Sequence, residues 1–548
     1  MTVDHWNVFD AHCVVGRHLK LYPGGLHTPD DLLTEMDHFG IAEALVLDSL
    51  SREHHPADGN ARILDIAAAS PRLHPAWAAL PPGIAEDQPE PDQLVRQMRA
   101  HHVGVLFLFS GHYCFPLADW CIDDLLAPLA DARVPVVINP NPFGHTGLAT
   151  DQTPWNDLVA LCRRWPTLPV IVSEHRIRSS QRTLYRALDA CPNLRIELSG
   201  YWLSRGIEYI SRRWGADRLL FGTNWPTFGQ AMTLAPLTCA EIDPAAKRRI
   251  AGDNLRELMA WCNPVAASPP EPAPPQPGTC NPEPLLPPPA DPYVAFGRTG
   301  ERPEGMRFAD CHGHLGGRSM WYHVPDGTTD ATVAEMERLG VDRACVFSFA
   351  GVNSDETFGN DLVADAVARH PDRFVGFTLL NPHRGRDDML RELDRCAALG
   401  LRGIKLIAHY QGYPTEGPLI DVACQWAHER KQIILHHSWG SAQHIERLVS
   451  TYPDACYITG HTTTAYADVM KRHPNLYVCS CPLTAPRTCE QVVEAIGADR
   501  LLFGSDLQDL PIAWGLGPIL FARIPESAKR LILGDTLRGL LARYSLTP

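Results

Sequence analysis

One pattern is written twice in this chain, and that repetition limits the fold more than any other feature. Asp10-Ala11-His12-Cys13-Val14-Val15-Gly16 is echoed 300 residues later by Asp310-Cys311-His312-Gly313-His314-Leu315-Gly316. Near the end of each half, Gly215-Ala216-Asp217-Arg218-Leu219-Leu220-Phe221-Gly222-Thr223-Asn224 is matched by Gly497-Ala498-Asp499-Arg500-Leu501-Leu502-Phe503-Gly504-Ser505-Asp506. Between the halves the composition changes abruptly, from Pro264 to Pro292. Ser268-Pro269-Pro270-Glu271-Pro272-Ala273-Pro274-Pro275 and Pro287-Pro288-Pro289 cannot hold a helix or a central strand. Such a segment reads as a semi-rigid polyproline linker, rising ~3.1 Å per residue where extended. The expected domains are residues 1–262, a linker over 263–300, and residues 301–548. Each half has about 250 residues, the usual size of a (β/α)₈ barrel.

The halves align internally as well. Glu35-Met36 and Gly40 match Glu335-Met336 and Gly340, and Gly59-Asn60 matches Gly359-Asn360. Short β-rich runs alternate with helical patterns, which implies parallel βαβ units. In the C-terminal half the spacing predicts strands over Ala344–Phe349, Phe374–Leu379, Gly403–Ile407, Gln432–His436, Cys456–Thr459, Leu476–Cys479 and Leu501–Phe503. Amphipathic stretches such as Thr332–Leu339 and Asp388–Leu399 lie between them. With an opening strand near Met306–Cys311 the count reaches eight. The fold class is therefore α/β, two tandem (β/α)₈ barrels of the TIM type. No GxGxxG turn follows the first strand, so a dinucleotide-binding fold lacks its mark.

The charge balance excludes some functions. With 63 acidic and 49 basic side chains, the formal charge is −14. Nucleic acid would want a basic face, and an anionic membrane would too. The first ten residues carry Asp4 and Asp10 and no apolar core, so they do not read as a secretory signal. The longest apolar runs, such as Val105 to Phe109, are strand-sized and fall short of the ~20 residues that span a bilayer. A cytoplasmic protein is expected. Its 16 cysteines are scattered and read as reduced core residues, Cys479 and Cys481 included.

The C-terminal half gathers ionisable residues at its predicted strand ends, where the loops of such barrels build active sites. With 25 histidines in the chain, one HxH is expected by chance. This one closes the first strand, and residues i and i+2 on a strand face the same way, so His312 and His314 can aim at one point. Lys405 lies on the fourth strand, His436 and His437 close the fifth, His461 follows the sixth, and Asp506 follows the last. Imidazoles with a carboxylate suit Zn²⁺ and other divalent transition metals. Trp321-Tyr322-His323 and His409-Tyr410-Gln411-Gly412-Tyr413 also follow strand ends, and His409 and Tyr410 are candidate substrate contacts.

Together the Asp-x-His-x-His-x-Gly opening, the strand-end histidine, Gly460-His461 and Phe503-Gly504-Ser505-Asp506 resemble the amidohydrolase superfamily. The branch they resemble contains aminocarboxymuconate semialdehyde decarboxylase and related metal-dependent hydrolases. The resemblance implies that His312 and His314 ligate one divalent ion, Zn or else Mn. His436 or His437 would supply the third nitrogen, the choice staying open. Asp506 would ligate the ion and accept a proton from its bound water, and His461 would act as acid/base or electrophile. Lys405 either holds a strand end or a substrate carboxylate or, when carboxylated, bridges a second metal. The first role is preferred, so one ion is the default. A divalent ion brings the pKa of bound water from about 15.7 toward about 7.

The N-terminal copy keeps His12 and His175. Val14 replaces His314, Leu106 stands for Lys405, Asn139 or Asn141 stands for the fifth-strand histidine, and Asn224 replaces Asp506. Such a set is short of both charge and ligands. The N-terminal barrel is expected to be a pseudo-enzyme without a catalytic metal, a metal-free catalyst using His12 and His175 being the lesser alternative. Relatives in the branch are commonly homodimers, so the resemblance also implies an intramolecular pseudo-dimer, open to further homo-oligomerisation. The expected activity is metal-dependent hydrolysis of an amide, lactone or ester bond in a small polar molecule. Non-oxidative decarboxylation or other C–C lyase chemistry is the enzymatic alternative, and a non-catalytic binding or scaffold protein is the other.

Overall fold

The structure, a computed structural model, describes residues 6–19, 25–83, 87–140, 153–173, 180–262 and 290–544 of the 548. The chain divides into two compact units. One comprises Met1–Trp202, Gly206–Ala290 and Arg298–Gly300; the other comprises Leu203–Arg205, Asp291–Gly297 and Glu301–Pro548. Most of the Pro-rich segment, residues 263–289, lies outside the described residues, and Pro292–Thr299 is helical.

In the N-terminal unit β1 (Val8–Val15), β2 (Ile41–Asp48) and β3 (Leu73–Pro75) form a parallel three-stranded sheet. A six-stranded parallel sheet continues from β4 (Trp77–Ala78) through β5 (Leu106–Leu108), β6 (Val136–Ile138), β7 (Val170–Val172) and β8 (Leu194–Glu197) to β9 (Leu219–Leu220). Only Ala76 separates β3 from β4, so this unit has eight strand positions. Backbone bonds from Ala11 N to Phe221 O (2.9 Å) and from Val14 N to Trp225 O (2.8 Å) tie the first strand to the last. Inward-facing Phe9, Val14, Leu45, Leu47, Phe107, Phe109, Val137 and Ile171 pack into one core.

The C-terminal unit is an eight-stranded parallel sheet in sequence order: β10 (Phe308–Leu315), β11 (Val341–Ser348), β12 (Phe374–Leu379), β13 (Gly403–Leu406), β14 (Ile433–His436), β15 (Cys456–Thr459), β16 (Leu476–Cys479) and β17 (Leu501–Leu502). Cys311 N to Phe503 O (2.8 Å) and His314 N to Leu507 O (3.0 Å) link the first and last strands. The fold is the expected TIM type. Its first strand runs four residues past the predicted end, so both histidines of the HxH lie inside it. Asp310 pairs with Ala344 and Gly313 with Val346, so β10 carries one residue more than its partner, a bulge shared with β1. Bulges bend a strand and re-aim its side chains. The direction of His312 and His314 therefore owes something to this bulge besides simple alternation.

Both helices that follow the first strands begin at a threonine cap. Thr28 Oγ1 accepts from Asp31 N while Asp31 accepts in return from Thr28 N, and Thr328 Oγ1 accepts from Ala331 N. Gly40 and Gly340 end these helices at φ 76° and 84°, a backbone turn that glycine takes without steric cost. Among the described residues every cysteine is a free thiol, and no helix is long and apolar enough to cross a membrane.

Candidate metal centre

A buried aspartate organises the floor of the C-terminal site. Asp310 is fully buried and accepts from His312 N (2.9 Å), from Ser505 N (3.1 Å) and from the Ser505 hydroxyl. Burial raises its carboxyl to about 7. The clip holds the chain after β17 against β10, and Asp506 N then donates to His312 O (2.9 Å). Gly504 is required behind it, since a Cβ there would lie 2.3 Å from Cys479 Sγ and 3.0 Å from the His312 Cβ. Asp506 itself sits at φ 61°, which turns its side chain back toward the barrel axis.

Three ligand-type atoms converge there. His314 Nε2 is 2.9 Å and His312 Nε2 3.5 Å from Asp506 Oδ1, and one atom from each of the three residues lies within 4.8 Å of the others. His312 Nδ1 donates to Gly460 O (3.1 Å), which leaves the Nε2 lone pair facing the cluster. Burial, then the neighbouring Lys405, pushes the His312 imidazolium well below the ordinary histidine range, so the ring is neutral. Metal–nitrogen bonds of about 2.1 Å place tetrahedral ligand atoms roughly 3.4 Å apart. The donor types and two of the separations fit a divalent ion.

The histidines of the fifth strand divide. Lys405 pairs with Leu435 in the parallel register, so the alternating His437 shares the inward face of Lys405, and His436 pairs with Leu406. His436 is fully buried 4.9 Å from the Trp439 ring, and its Nδ1 accepts from Ser438 N (3.0 Å). His437 shares a 3.1 Å hydrogen bond with His461 Nε2, and burial holds it at about 2. Neither joins the three-residue cluster. Lys405 is also fully buried, its Nζ 3.5 Å from His312 Nε2 and 4.2 Å from the Phe347 ring centre. Burial brings its ammonium down to about 8 against the pull of Asp506.

At His437 opens a cavity of about 500 Å³, lined also by Ala408, His409, Gly412, Tyr413, Thr415 and Ser438. His409 stacks on His437 (5.9 Å, 6°), and Tyr410 lies 5.8 Å from both His437 and Trp321. Tyr410 is 47% exposed, so it stands at the rim.

The N-terminal barrel fills the same positions differently. Val14 replaces His314 within a fully buried strand. Asn139 N donates to Leu108 O as His437 N donates to Leu406 O, so Asn139 is the counterpart of His437. The same register makes Phe107, not Leu106, the counterpart of Lys405; its ring is 5.2 Å from His12. Sequence alignment misses this by one residue because only strand pairing fixes the register. Asn141 and His175 lie outside the described residues. Sequence reasoning also passed over Glu197, 2% exposed, which pairs with Leu220 as Cys479 pairs with Leu502. His12 Nδ1 donates to Glu197 Oε2 (3.3 Å). Alternation within Arg195-Ile196-Glu197 puts both charged residues on one face and reads as a solvated edge.

Fold and cluster together define a TIM-type barrel with a candidate His-His-Asp metal centre. The sequence profile of the amidohydrolase family matches residues 20–259 and 308–538, and the chain belongs to that family. No curated protein matches it. Similar solved structures include 5-carboxyvanillate decarboxylase from Sphingomonas paucimobilis (17% identity, 44% of this chain, 100% of that chain, TM-score 0.36). An uncharacterised TIM-barrel protein from Bordetella bronchiseptica is also similar (16%, 43%, 99%, 0.36). So is dihydroxybenzoic acid decarboxylase from Polaromonas sp. JS666 with bound manganese and an inhibitor (19%, 43%, 98%, 0.35).

Proposed function

We propose that the C-terminal barrel is a metal-dependent hydrolase acting on an amide, lactone or ester bond of a small polar molecule. The observation that carries this reading is the convergence of His312, His314 and Asp506 within 4.8 Å. In this reading the three residues would hold one divalent ion, Zn or Mn, with His437 as the candidate fourth ligand. When bound, such an ion polarises a substrate oxygen and makes water nucleophilic near neutral pH. Asp506 takes the proton from the attacking water and returns it to the leaving group. Acid–base work of this kind contributes about 10²–10⁴-fold. His461 orients the scissile carbonyl, and Gly460 O fixes the His312 tautomer. Lys405 stays uncarboxylated against Phe347, and its ammonium steadies substrate charge. His409 and Tyr410 form the wall that receives the rest of the molecule.

A second reading has one observation in its favour. The rings of Trp321, Tyr410, His409 and His437 line one side of the approach, an arrangement suited to a planar carboxylate. Non-oxidative decarboxylation would use the same residues, with Asp506 protonating carbon. The N-terminal barrel, with Val14, Phe107 and Asn224 in place of ligands, carries no catalytic ion on either reading.

Turnover in ¹⁸O-labelled water separates the chemistries. Hydrolysis places one labelled oxygen in the product, whereas release of CO₂ without label uptake sinks the hydrolase. About one equivalent of Zn or Mn per chain is expected, and none after metal-supplemented growth would favour a non-catalytic scaffold.

A further inference from the structure

The N-terminal barrel buries an ionic group that the reading above leaves unused. Glu197 accepts from the hydroxyls of Ser173 (2.7 Å) and Ser199 (2.8 Å) and from Ser199 N (2.6 Å). Its other hydrogen bond comes from His12 Nδ1, and Ser173 Oγ lies 3.2 Å from that nitrogen. The pair is 0% and 1% exposed by side chain. Burial disfavours the carboxylate, but the bond from His12 and the serine hydroxyls more than offset it, and Glu197 stays below the usual carboxylate range. With Nδ1 facing the Glu197 carboxylate, the other ring nitrogen, Nε2, lies at the ring edge away from Glu197.

Among the described residues that Nε2 is buried and has no hydrogen-bond partner, and neither has Asn224 Oδ1. Asn224 takes φ 52°, as Asp506 takes φ 61°, and His12 and Asn224 hold the positions of His312 and Asp506. A buried polar group left unpaired is costly and calls for an explanation, a bound molecule being one. The surrounding positions are apolar: Val14, Phe107 and Phe109 belong to the barrel core. A histidine whose Nδ1–H bonds a buried carboxylate is oriented as a base, without a metal.

We infer that the N-terminal barrel holds a metal-independent acid–base site. His12 Nε2 is the proton acceptor, Glu197 the positioning residue and Asn224 a hydrogen-bonding partner. The ligand is a small uncharged molecule with an acidic hydroxyl, a phenol or an enol, whose apolar body packs against Phe107. On binding, the ligand O–H bond breaks and an N–H bond forms at Nε2. The result is an imidazolium balanced by Glu197 and an oxyanion beside Asn224, whose amide turns its N–H₂ toward it.

The test uses the full-length Asp506→Asn chain stripped of metal, so that the C-terminal centre is silent, and 4-nitrophenol as the probe. Saturable binding of one probe per chain is expected, with the probe ionising about tenfold more readily than in water, one pKa unit. His12→Gln should abolish binding, and Glu197→Gln should leave binding but remove the shift. Absence of binding overturns the inference, as does an unchanged shift in either variant or loss of binding on adding a chelator. Should Glu197→Gln fail to fold, nitrogen-15 NMR of the parent chain decides. Its Nε2 resonance, assigned from the His12→Gln spectrum, must move on adding the probe; a resonance that stays put leaves the His–Glu pair purely structural and sinks the proposal.

Discussion

At matching strand ends the two barrels solve the same problem of holding a buried imidazole in opposite ways. His312 gives its Nδ1 proton to a backbone carbonyl, Gly460 O, and turns its lone pair toward His314 and Asp506. His12 gives the same proton to a carboxylate, Glu197, and turns its lone pair toward a wall containing Val14 and Phe107. The neutral partner leaves room for a cation among negative and neutral donors, while the carboxylate partner places a negative charge behind the His12 ring. The donors a barrel offers are thus set by a handful of residues at the strand ends, on a frame that is otherwise shared.

The largest effect tests the comparison directly. Asp506→Asn gives the C-terminal barrel the residue of its neighbour. Turnover should fall by about 10²–10⁴-fold, the worth of acid–base catalysis, and bound metal should drop below one equivalent by elemental analysis. The reverse exchange, Val14→His with Asn224→Asp, gives the N-terminal barrel the three ligand types, and metal content should rise toward two equivalents per chain. If it stays at one, then Phe107 and Glu197, not the missing ligands, keep the ion out.

Lys405 gives the next effect. Moving its ammonium from 10.5 to about 8 corresponds to about 3 kcal/mol. Because the folded-state value lies below the unfolded one, the whole cost of burying the charge is present below about pH 8. Between about pH 8 and 10.5 the unfolded chain holds a proton that the folded chain has released, so stability rises with pH across that window. In the metal-free protein Lys405→Met, which like Phe107 offers only an apolar surface, should remove that rise. It should also stabilise the C-terminal barrel at pH 7 by up to about 3 kcal/mol. Denaturant midpoints at pH 7.5 and 10 check this, and equal slopes for parent and variant would refute it.

How much of this was legible in the sequence depends on what each element needs. The strands Phe374–Leu379, Cys456–Thr459 and Leu476–Cys479 match the pattern to the residue, because runs buried on both faces are bounded sharply by polar turns. His312, His314 and Asp506 were legible as a group because each sits at a strand end of a repeated motif. Which fifth-strand histidine faces inward was not legible, since it depends on the pairing of Lys405 with Leu435. The one-residue error at Phe107 has the same origin. Glu197 was hidden for a different reason: a buried glutamate looks like a surface one until its partners, His12, Ser173 and Ser199, are known to surround it.

Glycines behind the strands that carry the two sites give a smaller and symmetrical effect. A Cβ at Gly222 would lie 2.3 Å from Glu197 Oε1, and one at Gly504 lies 2.3 Å from Cys479 Sγ. Gly222→Ala and Gly504→Ala should each cost about 1–3 kcal/mol through overpacking. The first should disturb the His12–Glu197 hydrogen bond and the second the backbone behind His312. Metal binding should therefore weaken in Gly504→Ala and be untouched in Gly222→Ala. Equal metal loss in both would show that the barrels are coupled more tightly than two separate cores allow.

The smallest effect compares the helix caps. Thr28 and Asp31 satisfy each other's backbone N–H groups, whereas Thr328 faces Ala331 and receives nothing in return. Thr28→Ala should cost about 1 kcal/mol and Thr328→Ala nearer 0.5 kcal/mol, the range for capping threonines. Global unfolding of a two-unit chain blurs so small a difference, because its transitions need not coincide. Amide exchange resolves it locally. Exchange across Pro29–Phe39 should quicken about twice as much, in free-energy terms, as exchange across Thr329–Leu339. If the order is reversed, Asp31 serves the loop before the helix, where it also accepts from His27 N, more than it serves the cap.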